Sequence, residues 1–73
     1  MKKKLYYEVN EVTVSLGEEA VESYGIDCTE GGVRVASVKD ISTDRESVEK
    51  LARLCNSLRL DPSQLKDVAE DWA

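Results

Sequence analysis

The sequence predicts an α+β domain: an antiparallel meander of three strands, or four, over residues 4–39, then an antiparallel two-helix hairpin over 44–58 and 62–72 packed on one sheet face. Three observations predict it. Apolar and polar residues alternate through the first half, glycine-bearing turns divide that half, and from residue 44 onward the apolar period lengthens to about 3.6 behind recognisable caps.

Leu5, Tyr7 and Val9 alternate with polar residues, and after Asn10-Glu11 the pattern resumes one residue out of phase as Val12, Val14 and Leu16. Either a β-bulge at Asn10-Glu11 keeps one long strand facing the core, or these two residues turn between two short strands. Asn-Glu is a poor substitute for the Asn-Gly such a turn prefers, which favours the bulge. Gly17-Glu18-Glu19 reads as a reversal, and residues 20–28 form the next strand, with Ala20, Glu22, Tyr24, Ile26 and Cys28 on one face and the last three expected in the core. Gly25 within that strand reads as a bulge or a close backbone approach. Glu30-Gly31-Gly32 is a hairpin signal, because glycine takes positive φ without steric cost. Val33 and Val35 lead the third strand, and Val38 and Ile41 carry the apolar pattern on toward the helices.

Thr43 with Glu46 three residues on fits a capping box, so a helix is expected from Asp44, with Ile41 as an approximate staple. Val48, Leu51, Ala52, Cys55 and Leu58 then share one helical face, which must pack on the sheet. Asp61-Pro62-Ser63-Gln64 reads as a second capping box with proline at the first helical position. The helix behind it carries Leu65, Val68, Ala69 and Trp72 on one face and Lys66, Asp67, Glu70 and Asp71 toward solvent. Trp72 reads as a core residue before it reads as an anchor for a partner.

Seventy-three residues are room for one domain, and a chain this short has little volume for both a core and a ligand site. No apolar segment approaches the roughly 20 residues of a membrane-spanning helix, and no apolar stretch follows Lys2-Lys3-Lys4 as a signal peptide requires, so a cytoplasmic location is expected. In that compartment Cys28 and Cys55 are expected as reduced, structural thiols. The chain has no histidine, which removes the usual general base and the commonest metal ligand. The acidic residues sit on solvent faces with no apolar pocket to raise a carboxylate pKa. No catalytic, cofactor-binding or metal site is expected.

A net charge of −5 opposes direct nucleic-acid binding, and the second helix presents acids where a groove reader needs arginine or asparagine. Lys2 to Lys4 read as lysines guarding a sheet edge. The expected partner is therefore another protein, met on the outer sheet face or an acidic surface; Glu18, Glu19, Glu22, Asp67, Glu70 and Asp71 are the candidates, with Asp27 and Glu30 nearby in sequence. A homodimer through a sheet edge is open. So are an inhibitor that blocks a nucleic-acid-binding enzyme with negative charge, and a small-molecule sensor.

Ser23-Tyr24-Gly25-Ile26, Asp40-Ile41-Ser42-Thr43-Asp44, Leu54-Cys55-Asn56, Leu60-Asp61-Pro62 and Asp67-Val68-Ala69-Glu70-Asp71-Trp72 together resemble an uncharacterised family of short bacterial proteins, common in anaerobic Gram-positive lineages. The resemblance covers roughly residues 20–72. It implies a bacterial, bacteriophage or mobile-element origin and an intracellular protein without an assigned activity. Many members carry a histidine near the second helix start where this chain has Gln64, a departure that weakens any site placed there.

Overall fold

The computed structural model describes residues 4–72. Strands β1 (Leu5–Leu16), β2 (Glu19–Glu30) and β3 (Val33–Ser42) form an open antiparallel sheet in sequence order, followed by helix α1 (Arg45–Leu58), a 3-10 turn (Pro62–Gln64) and helix α2 (Leu65–Trp72). Both helices lie on the same sheet face, α1 mainly against β1 and α2 against β3. The chemistry of the turns explains the meander. Gly17 alone takes positive φ (67°) in the first two-residue turn, as a type II′ turn requires, whereas Gly31 and Gly32 both do (59° and 87°) in the second, as type I′ requires.

β1 neither bulges nor turns at Asn10-Glu11. Its register with β2 is unbroken from Leu5 opposite Glu30 to Leu16 opposite Glu19, which removes the four-stranded alternative and the bulge together. The out-of-phase pattern has another physical origin. A strand of 12 residues extends for about 40 Å, whereas a helix of 14 covers about 21 Å, so half of the β1–β2 hairpin projects past the helices of a molecule 49 × 22 × 18 Å in extent. Under the helices Leu5, Tyr7 and Val9 face the core. Beyond them the same face meets water and carries Glu11, Thr13 and Ser15, while Val12, Val14 and Leu16 project from the opposite face.

The core is built from Tyr7, Ile26, Cys28, Val48, Leu51, Ala52, Cys55 and Leu65, with Val9, Tyr24, Ala36, Val38, Ile41, Leu60 and Val68 packed around it. Ala69 is buried too. Leu58, Val33 and Val35, expected among the apolar positions, also lie outside it. Leu58 is 66% exposed, because it occupies the last turn of α1, and Val33 and Val35 are 63% and 47% exposed. A register shift between Cys28 and Thr29 re-phases β3, so Ala36 and Val38 face the helices instead.

Helix α1 starts one residue later than the capping box predicts. Asp44, not Thr43, is the N-cap, its carboxylate accepting from the Glu46 amide at 3.2 Å, while Ser42 Oγ accepts from the Asp44 amide at 3.0 Å. Aspartate caps at least as well as threonine, and here the serine fixes its approach. Asp61 caps the second helical segment as expected, but its carboxylate accepts from Ser63 rather than sharing a box with Gln64. The hydrogen bond from the Ser63 amide holds the Asp61 carboxyl below the ordinary carboxylate range. α1 ends in a Schellman arrangement with Arg59 at φ 51°, Leu60 donating to the Cys55 carbonyl at 3.0 Å. α2 then returns toward the start of α1, where the Trp72 indole N–H donates to Ser47 Oγ at 3.0 Å. At 39% exposure Trp72 is an interhelical strut rather than a core residue.

Candidate functional site

Two strings that look most like a site turn out to be one structural joint. Gly25 has no room for a side chain: a Cβ there would lie 2.1 Å from the Val38 carbonyl oxygen and 2.8 Å from Lys39 Cα. Opposite this close approach β3 spends extra residues, its register shifting between Tyr24 and Ile26, with Asp40 at φ 57°. Ser23, 1% exposed, secures the bulge by donating its hydroxyl to Asp40 Oδ1 at 2.5 Å, with the Ser42 carbonyl at 3.3 Å. Ser23-Tyr24-Gly25-Ile26 and Asp40-Ile41-Ser42-Thr43-Asp44 thus hold each other, and the second string goes straight into the α1 cap. These residues fold the chain, with the Asp40 carboxylate taken up by the Ser23 hydroxyl.

The cysteines and Tyr7 form a second buried group. Cys28 and Cys55 are free thiols at 0% and 1% exposure, and burial pushes both thiol pKa values up. Tyr7 is likewise held protonated, first by burial and then by its neighbour Cys28, and its hydroxyl donates to the Leu60 carbonyl. A thiol shielded from water with a raised pKa is a poor nucleophile. The group is packing with satisfied polar ends.

The outer edge of β1 is where main-chain groups of the sheet are left without a strand partner among the described residues. Asn56, on α1, meets it at Tyr7: the Tyr7 amide donates to Asn56 Oδ1 at 2.7 Å, and Asn56 Nδ2 donates to the Tyr7 carbonyl at 2.9 Å. The carboxamide thereby imitates one peptide unit of a neighbouring strand. Because backbone groups alternate sides along a strand, the N–H and C=O of Val9, Glu11, Thr13 and Ser15 point the same way as those of Tyr7. Among the described residues nothing pairs with them. The other edge differs: β3 is broken by two register shifts and carries the exposed Arg34 and Lys39.

On the face away from the helices, Val14 stands opposite Val21, beside Val12 and Leu16, forming a small apolar patch in which Leu16 is exposed and the three valines are half-buried. Next to it lies a polar cluster in which Asp27 accepts from Asn10 (2.9 Å) and Ser37 (2.5 Å) and faces Arg34 at 3.9 Å. Charge is divided unevenly. Between residues 5 and 33 the chain has Glu8, Glu11, Glu18, Glu19, Glu22, Asp27 and Glu30 and no lysine or arginine, so the hairpin is strongly anionic and the remainder net positive.

The six candidate acids lie on two elements. Glu18, Glu19 and Glu22 are exposed at or near the hairpin turn, whereas Asp67, Glu70 and Asp71 are exposed on α2, which contacts β3. The neighbouring groove between β3 and α2, about 240 Å³ and lined by Lys39, Asp40, Lys66 and Glu70 over Val38, Ile41 and Ala69, is smaller than ordinary ligand pockets. Sequence reasoning read the lysine-bearing sheet edge as guarded, through Lys2 to Lys4 of which Lys2 and Lys3 lie outside the described residues, and it missed the Asn56 contact. The phase change at Asn10-Glu11 is the one signal of the exposed β1 segment, and Asn56 has none. No helix among the described residues is long and apolar enough to cross a membrane.

A family model described as "Family of unknown function (DUF6514)" matches residues 1–73, and the chain belongs to that family. No curated protein and no solved structure matches.

Proposed function

We propose that this member of the family is a non-catalytic protein-interaction module whose contact element is the projecting β1–β2 hairpin. One observation carries the reading: past Asn10 the hairpin turns its valines away from the chain's own core and leaves a strand edge unpaired. Natural proteins guard such edges unless they use them. The apolar patch next to it has the same implication. The α2 acids Asp67, Glu70 and Asp71 are a less favoured contact surface, since they flank no apolar patch of this kind.

The anionic hairpin also favours a narrower form of the reading, an inhibitor that occupies a nucleic-acid site on an enzyme. A photo-crosslinking residue placed at Leu16, and in a separate variant at Glu70, tests both in the native host. A specific protein captured from Leu16 and not from Glu70 is the expected result. Capture from neither position, or from Glu70 alone, contradicts the hairpin reading. Loss of the Leu16 crosslink when short duplex nucleic acid competes selects the inhibitor form.

A further inference from the structure

We infer that the β1 edge from Val9 to Ser15 accepts an extended, cationic segment of another protein as a fourth strand of the sheet. This rests on the interaction-module reading and names the chemistry of the partner. Four outward-facing residues, Val9, Glu11, Thr13 and Ser15, offer regularly spaced backbone donors and acceptors, and strand addition satisfies such a row directly. Asn56 already shows the geometry at Tyr7, where a side-chain amide completes both bonds at 2.7 and 2.9 Å.

The two faces of the hairpin specify the incoming side chains. Toward the helix side, an added strand meets Glu11, with Glu22 on the next strand opposite Thr13; on the far side it meets Val12 and Val14. Cross-strand pairing therefore favours lysine or arginine on one side of the segment and β-branched residues on the other. Arg53, which lines the same groove as Tyr7 and Val9, lies 3.9 Å from Glu49 and pairs with neither of these acids. Charge also decides against a second copy of the chain. Pairing two β1 edges would place two hairpins side by side within about a Debye length, each with seven carboxylates and no cation between residues 5 and 33, Lys4 standing only at the open end.

The test uses a peptide of about nine residues alternating lysine and valine, long enough to span an ordinary strand. Its controls are the glutamate–valine counterpart and the same lysine peptide N-methylated at alternate amides on the docking side. Amide exchange followed by NMR should slow at Val9, Glu11, Thr13 and Ser15, and not further at Asn10, Val12 and Val14, whose amides already pair with β2. Binding should weaken about threefold on Glu11→Gln and more steeply with added salt, and should vanish with the N-methylated peptide. Thr13→Pro, which removes an outward N–H at an edge, should also abolish it. Equal binding of the glutamate peptide, or protection confined to α2 or β3, overturns the inference. So does a dimer of the chain alone that Thr13→Pro dissolves, since the occupant is then a second copy. If these peptide results fail while crosslinking at Leu16 succeeds, the module reading stands and only the partner chemistry falls.

Discussion

Replacing Asn56 by alanine removes a contact that ties α1 to β1 across 49 residues of sequence. Two hydrogen bonds disappear, at 2.7 and 2.9 Å, and the Tyr7 amide and carbonyl lose their partner where the strand is part-buried. At about 1 kcal/mol for each net bond, with a further penalty where water reaches poorly, the loss is about 2–4 kcal/mol. For a chain of this size that lowers the midpoint of thermal unfolding by roughly 13–26 °C. Asn56→Asp separates the pairing from packing. It keeps the acceptor for the Tyr7 amide but sets a second acceptor against the Tyr7 carbonyl, so near neutral pH it should cost at least as much as alanine. Urea unfolding followed by circular dichroism gives both values. A loss under about 0.5 kcal/mol for alanine, or an aspartate variant as stable as the parent, would refute the peptide-mimic description.

Three further perturbations test the rest of the framework. Gly25→Ala forces a Cβ against main-chain atoms of Val38 and Lys39 that cannot rotate away, so it should destabilise by about 3 kcal/mol or more in the same unfolding assay. Arg59→Gly should act in the opposite direction, adding about 1 kcal/mol by relieving a left-handed residue at the α1 terminus. The thiols set a pH dependence. Because burial raises the folded pKa of Cys28 and Cys55, the folded state retains protons that the unfolded chain releases above about pH 8.5; the thiols' contribution to stability should be level below that value and fall as pH rises through it. The paired Cys28→Ala and Cys55→Ala variant, though less stable at neutral pH, should show a shallower alkaline decline.

The fold is legible where short-range chemistry decides it. Glycines announce the turns, Asp61-Pro62 announces the second helical segment, and the 3.6-residue spacing places Val48, Leu51, Ala52 and Cys55 in the core. The exceptions share a cause, which is that periodicity alone refers every strand to a single buried face. Val12 and Val14 obey the alternation yet project from the other side, because α1 is too short to cover β1. Val35 is the extra residue of a shift in β3 that alternation alone does not announce, and Val33 stands opposite Glu30 beside the Gly31-Gly32 turn. Asn56 carries no signature at all until Tyr7 is placed beside it. The family-like strings are legible as motifs but not as a joint, since Ser23 and Asp40 become neighbours only when the second hairpin closes.

The direction in which Val12, Val14 and Val21 project is the premise on which the proposed interaction role of the hairpin rests. Cross-strand proton contacts measured by NMR report it directly, since Hα atoms approach closely at non-hydrogen-bonded antiparallel pairs. An unbroken register predicts Hα–Hα contacts at Tyr7 with Cys28, Val9 with Ile26, Glu11 with Tyr24 and Thr13 with Glu22. Loss of the series after Val9, with contacts resuming one residue out of step at Val12, would return those valines to the helix face and contradict the account.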